Sequence, residues 1–143
     1  LTTLAVAGTH GKTSITAMIA HILRAADYDF ATFIGGISRD LDNNFFISPE
    51  PRFLVVEADE YDRSLLQLSP DRAIITSMDA DHLDVYADLN DLQNTFKQFA
   101  QKIESDGVLF YHAKLHGLED VKVPKHSYGL TENAEYTGKN IRI

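Results

Sequence analysis

Leu4-Ala5-Val6-Ala7-Gly8-Thr9-His10-Gly11-Lys12-Thr13-Ser14 sets how the rest of the chain is read. Four small or branched apolar residues stopped by a glycine read as a buried strand. From Lys12 to about Ala26 the pattern turns helical, with Ile15, Met18, Ile19, Ile22 and Leu23 on one face at spacings of three and four. Two glycines lie between strand and helix, and a lysine opens the helix. A helix N-terminus carries unpaired N–H groups and a partial positive charge, which suits a phosphate. Gly8 and Gly11 let the backbone turn tightly and approach the anion. The candidate phosphate-contacting residues are therefore Gly8, Thr9, His10, Gly11, Lys12, Thr13 and Ser14. Lys12 would reach the terminal phosphates, and the Thr13 hydroxyl would ligate magnesium. The usual Walker A pattern has a glycine where Val6 stands, so the match is incomplete. The plain alternative is a glycine-rich turn with a solvated lysine.

Outward from this unit, Phe30 to Ile34 reads as a second strand ended by Gly35-Gly36. Ser38 to Pro51 reads as mostly loop, with room for a short strand at Phe45-Phe46-Ile47. Phe53 to Val56 and Ala73 to Thr76 read as buried strands. A helix is expected over about Leu89–Glu104, with Leu92, Phe96, Phe99, Ala100 and Ile103 on one face, followed by a strand at Val108 to Tyr111. Short strands are expected at His126–Tyr128 and Ile141–Ile143. Continuously apolar strands alternating with helices predict an α/β fold, a mostly parallel sheet with flanking helices. Ligands of such sheets collect at the carboxyl ends of the strands.

Two acidic clusters sit at strand ends. Val55-Val56 runs straight into Glu57, followed by Asp59, Glu60 and Asp62. The first acid off a strand beside a phosphate loop is a magnesium partner by position, so Glu57 is the candidate ligand. Asp59 and Asp62 serve equally as helix-dipole partners or solvated charges. After the next strand comes Asp79-Ala80-Asp81-His82-Leu83-Asp84. His82 would ligate a second cation or orient a nucleophile; the alternative is a helix cap formed by Asp79 or Asp81, with His82 exposed. His21, His112, His116 and His126 have no supporting constellation and are read as structural.

The composition sets limits. With 44% apolar and 24% charged residues, the chain is of globular type. No apolar run is long enough to span a bilayer. The net charge of −8 repels nucleic-acid phosphate, so a bound phosphate must be held by a local device. The lack of cysteine removes disulfides and thiolate metal sites and agrees with a reducing cytoplasm. A start on Leu1, directly in a strand-like run, leads us to expect a piece of a longer polypeptide.

In their order along the chain, the loop Gly8-Thr9-His10-Gly11-Lys12-Thr13, the stretch Glu57-Ala58-Asp59-Glu60-Tyr61-Asp62-Arg63-Ser64 and the stretch Asp81-His82-Leu83-Asp84-Val85-Tyr86 resemble the central domain of the Mur ligases, ATP-dependent enzymes of peptidoglycan precursor synthesis. With Gly35-Gly36 the resemblance covers about residues 4–112, and the family's shortened loop accounts for Val6. It implies that residues 1–143 are an incomplete P-loop-type ATP-binding domain, with separate UDP-sugar and amino-acid domains lying outside it. It implies ATP and Mg2+, with Thr13 and Glu57 on one ion, His82 on a second, and Lys12 and His82 in catalysis. The Glu-Ala-Asp-Glu stretch points to the branch that joins L-alanine to UDP-N-acetylmuramate in the bacterial cytoplasm through an acyl phosphate. A murein-tripeptide recycling ligase, a folylpolyglutamate synthase and a non-catalytic nucleotide-binding module are the alternatives. Several family members carry a carbamylated lysine on the helix after the metal histidine. Phe96 stands at that place here. Lys97, turned about 100° away, is no substitute, which again fits the alanine-adding branch.

Overall fold

A computed structural model describes residues 1–38, 43–80 and 85–142. Strand β1 (Thr2–Ala7) leads through the glycine loop into helix α1 (Lys12–Ala25). Strands β2 (Phe30–Ser38), β3 (Asn43–Ile47) and β4 (Phe53–Ala58) follow. A 3-10 turn (Ser64–Gln67), β5 (Arg72–Ile75) and helix α2 (Leu89–Ala100) come next. Three strands complete the order, β6 (Val108–His112), β7 (Lys125–Gly129) and β8 (Tyr136–Thr137). They form one eight-stranded sheet in the order β3-β2-β4-β1-β5-β6-β7-β8. Every pairing is parallel except β2 with β3. β1 lies in the middle, between β4 and β5, so its loop and the ends of both neighbours open on one edge of the sheet.

The two faces of the sheet are covered differently. Ala5, Ala7, Ala58, Ala73, Ile75 and Leu109 lie under α2, which contributes Leu92, Phe96, Phe99 and Ala100 to the same cluster. Alanines on the strands leave room for the phenylalanines of the helix, so large and small side chains interlock at close packing. This is the α2 face expected from the sequence. The helix ends at Ala100 rather than Glu104, and Ile103 stays buried in the turn beyond it. Asp88 caps α2 by accepting the Asp91 N–H at 2.9 Å. Asp88→Ala is expected to lower stability by about 1 kcal/mol, read as a shifted urea midpoint at unchanged slope.

On the opposite face α1 packs on β1, β2 and β4. Its buried residues are Thr16 and Ala20, whereas Met18 and Ile22 are exposed. The expected apolar face is corrected in part: Ile15, Ile19 and Leu23 are half-buried against the sheet side, while Met18 and Ile22 turn outward. The sheet brings its own bulk to this contact in Val6, Phe30, Ile34 and Val55, all buried, and the helix approaches through its smallest side chains.

Three further expectations change. β2 runs past Gly35 to Ser38 and pairs with β3, which contains the expected Phe45-Phe46-Ile47 strand and starts two residues earlier, at Asn43. Gly35 does not end the strand; its missing Cβ lets the Glu57 carboxylate lie against the strand backbone. A Cβ there would stand 3.0 Å from Glu57 Oε2. At the far edge, Tyr136–Thr137 pairs with β7, while Ile141 and Arg142 lie outside the sheet. Tyr136 extends the ring contacts of Phe110 and His126, a gain that Ile141 does not make.

Candidate functional site: a glycine-rich loop over two acids

The loop between β1 and α1 is held from below by the segment after β5. The Thr9 N–H donates to the Ser77 carbonyl at 3.2 Å, and the Thr9 and Ser77 hydroxyls share a bond of 2.9 Å. The His10 N–H donates to Ser77 Oγ at 2.9 Å, the Asp79 N–H donates to the Thr9 hydroxyl at 3.1 Å, and the Thr76 hydroxyl donates to the His10 carbonyl. The N–H groups of Thr9 and His10 are thus spent on Ser77, in the segment after β5. Gly11 starts the helix with φ +82° and no side-chain cap. The first-turn N–H groups of α1 are the ones that face outward from an uncapped helix start. A Cβ on Gly11 would meet nothing within 4 Å, whereas one on Gly8 would stand 1.9 Å from Thr76 Oγ1. The first glycine is required by the protein's own packing; the second borders open space.

Two carboxylates of β4 and its extension reach this loop. Thr13 donates its hydroxyl proton to Glu57 Oε2 at 3.1 Å, and the Gly35 N–H donates to Glu57 Oε1 at 2.7 Å. Glu57 is therefore aimed at Thr13, as the sequence predicts. The Lys12 ammonium donates to the Gly8 carbonyl at 2.8 Å and to Glu60 at 2.8 and 3.1 Å. Glu60 is wholly buried and was not singled out from the sequence. A charged side chain is buried without water only when paired, and the pair spans 48 residues of chain.

The remaining acids are engaged locally. Asp59 accepts the Tyr61 N–H at 3.0 Å, and Asp62 accepts the Ser64 N–H at 2.9 Å. The Ser64 hydroxyl, then the Ser64 N–H, hold the Asp62 carboxyl below the usual carboxylate range. Asp79 is exposed, with Oδ2 3.7 Å from His10 Nε2. His82 and Asp81 lie outside the described residues. Ser14 is exposed on the first turn of α1. Lys97 pairs with Asp120, and Phe96 is wholly buried in the core, so neither offers an ammonium to the loop. A cavity of about 430 Å³ opens beside the loop at the ends of β5 and β6, with His10, Ser77, Asp79, His112 and Lys114 in its walls. His112, read from the sequence as structural, stands at this opening.

These residues fit a nucleotide phosphate chain with a divalent ion. The uncapped helix start supplies N–H donors, Lys12 a fixed positive charge, and Thr13 with Glu57 two oxygens close enough to share one cation. Among the described residues no three His, Cys, Asp or Glu side chains form a metal cluster of their own. Glu57→Ala is expected to raise the magnesium concentration for half-maximal activity of the complete protein by about tenfold or more, measured by titrating the metal at saturating ATP.

A central parallel strand, a glycine-rich loop and a helix whose lysine and threonine meet acids from the neighbouring strand define a phosphate-loop α/β domain. The comparisons with known proteins agree. The sequence matches the Mur ligase middle domain over residues 6–143, and the chain belongs to the Mur ligase family. It is 47% identical over 140 residues to the UDP-N-acetylmuramate–L-alanine ligase of Christiangramia forsetii, which covers 98% of this chain and 29% of the relative. Among solved structures, a UDP-N-acetylmuramate:L-alanyl-γ-D-glutamyl-meso-diaminopimelate ligase from Neisseria meningitides superposes with a TM-score of 0.81 at 28% identity, over 92% of this chain and 47% of that one. The UDP-N-acetylmuramate–alanine ligase of Thermotoga maritima gives 0.77 at 29% identity, over 95% and 30%. The chain thus spans less than a third of the length of the curated relative. Among the described residues no helix is long and apolar enough to cross a membrane.

Proposed function

We propose that the complete protein is an ATP-dependent ligase of peptidoglycan precursor synthesis that joins L-alanine to UDP-N-acetylmuramate in the bacterial cytoplasm, and that residues 1–143 carry its ATP and magnesium site. The observation that carries this reading is the convergence of Lys12 and Thr13 on Glu60 and Glu57 at the carboxyl ends of β1 and β4. It is supported by the 47% identity to a UDP-N-acetylmuramate–L-alanine ligase.

In this reaction a muramate carboxylate oxygen bonds to the γ-phosphorus of ATP as the β–γ P–O bond breaks and ADP leaves, and the amine of L-alanine then forms the amide by displacing phosphate from the acyl phosphate with loss of a proton. Such transfers need little covalent help from the protein; positioning and charge stabilisation do the catalysis. The α1 N-terminus and Lys12 hold the phosphate oxygens and stabilise charge on the transferring group. Thr13 and Glu57 would hold one magnesium ion, and His82 would hold a second and act with Lys12. Bound magnesium neutralises phosphate charge and fixes the phosphate geometry. Gly35, through its N–H on Glu57, keeps that carboxylate turned to Thr13.

The likeness to the Neisseria tripeptide ligase makes a murein-peptide acceptor the competing specificity. An acceptor panel on the complete protein separates the two. ADP release with L-alanine but not with L-alanyl-γ-D-glutamyl-meso-diaminopimelate is expected; release with the tripeptide alone would overturn the assignment of the amino acid.

A further inference from the structure

Glu60 has no part in the phosphate chemistry above, yet it is the most completely buried charge at the site. Both its carboxylate oxygens accept from Lys12, whose ammonium is also anchored on Gly8. The backbone of Glu60 is fixed in turn. Its carbonyl accepts from the Tyr86 hydroxyl and from the Arg63 N–H, the latter at 3.0 Å. Tyr86 is buried, and burial pushes its phenol above the ordinary tyrosine range, so the hydroxyl stays a proton donor. The Arg63 guanidinium lies 4.9 Å over the Tyr86 ring and pairs with Asp91 at 2.7 Å. Asp91 sits in the first turn of α2 and also accepts the Ala87 N–H at 3.2 Å.

A continuous chain of contacts therefore runs from α2 through Asp91, Arg63, Tyr86 and Glu60 to the ammonium of the phosphate loop. We infer that Glu60 is a positioning residue for Lys12, and that Tyr86, clamped by Arg63 and Asp91, holds Glu60 in place for that task. The inference rests on the proposed ATP site. Lysine is a compact charge on a flexible four-carbon stem, and an undirected ammonium loses more in the transition state than in ground-state binding. Its three protons already have acceptors in Gly8 and Glu60, so it reaches a phosphate by turning one proton outward while the others keep it fixed.

The test uses the complete protein with Glu60→Gln, which keeps the shape and one acceptor, and Tyr86→Phe, which keeps the ion pair and removes only the tie to the Glu60 carbonyl. The expected result is a kcat about tenfold lower for E60Q and about threefold lower for Y86F, with the ATP dissociation constant of each within about threefold of wild type. A purely structural role would instead lower thermal stability and leave kcat of the folded fraction unchanged, and that outcome overturns the inference. Should E60Q fail to fold, Y86F decides by the same split. If the wild-type protein shows no acceptor-dependent turnover, the ligase assignment fails separately, and ATP binding decides this point. Lys12→Ala is then expected to weaken binding about tenfold or more and Y86F by no more than about threefold; equal weakening in the two overturns it.

Discussion

Lys12→Ala in the complete protein is expected to lower ATP-dependent turnover by about 10³-fold, equivalent to about 4 kcal/mol of transition-state stabilisation. The lysine is the one cation anchored in the loop, held by the Gly8 carbonyl and Glu60. Its removal takes away charge at the point where the phosphoryl group would carry its charge between donor and acceptor. It also leaves the Glu60 carboxylate buried without its partner, which costs stability. Lys12→Ala/Glu60→Gln separates the two effects, because it removes the orphaned charge along with the lysine. Stability is expected to return towards wild type in the double variant while turnover stays low. Turnover that recovers with stability would show that Lys12 serves the fold alone.

Gly8→Ala is expected to destabilise the domain by roughly 3 kcal/mol or more. Gly8 has φ +134°, a backbone conformation costly for any residue with a Cβ, and the added methyl would lie 1.9 Å from Thr76 Oγ1 and 2.9 Å from the Ser77 nitrogen. Thr76 cannot simply turn aside, because its hydroxyl donates to the His10 carbonyl and its N–H to Ala7. The loss is a sizeable part of the whole stability of an ordinary domain. Chemical denaturation measures it. Gly8→Ala/Thr76→Ala should recover only part of the loss, since the Ser77 backbone and the positive φ remain. Gly11→Ala is the contrast. Its Cβ would meet nothing within 4 Å, so only the backbone term applies, about 1 kcal/mol. Its larger effect is expected on nucleotide affinity, because a methyl there stands where a phosphate would approach.

What could be read from the sequence follows from how local each cause is. The β1–loop–α1 unit was legible because a strand end, a glycine turn and a helix start are short-range features; Glu57 stood out as the first acid off its strand, and the pairing of β4 with β1 brings it to Thr13. The α2 face was legible because Leu92, Phe96, Phe99 and Ala100 repeat at helical spacing over one sheet face. The buried face of α1 was legible only in part, at Ile15, Ile19 and Leu23. Its apolar residues are spread widely enough to allow more than one seam, and the sheet selects the seam carrying Thr16 and Ala20. Glu60 was hidden for a similar reason. It is one of four acids between Glu57 and Asp62, and only the approach of Lys12 and Tyr86 from distant parts of the chain tells it from its exposed neighbours. Thr76 and Ser77 carry no motif at all; they matter because β5 lies beside β1 and their hydroxyls fall under the loop. β3 and β8 were blurred because edge strands gain much of their pairing from partners remote in sequence.

The most direct measurement is ADP release by the complete natural protein in the presence of magnesium, UDP-N-acetylmuramate and L-alanine, with each left out in turn. The expected result is release that requires all three and is lost in Lys12→Ala. Release independent of both acceptors, or nucleotide binding without release under any combination, would contradict the assignment of this domain to an amide-forming ligase.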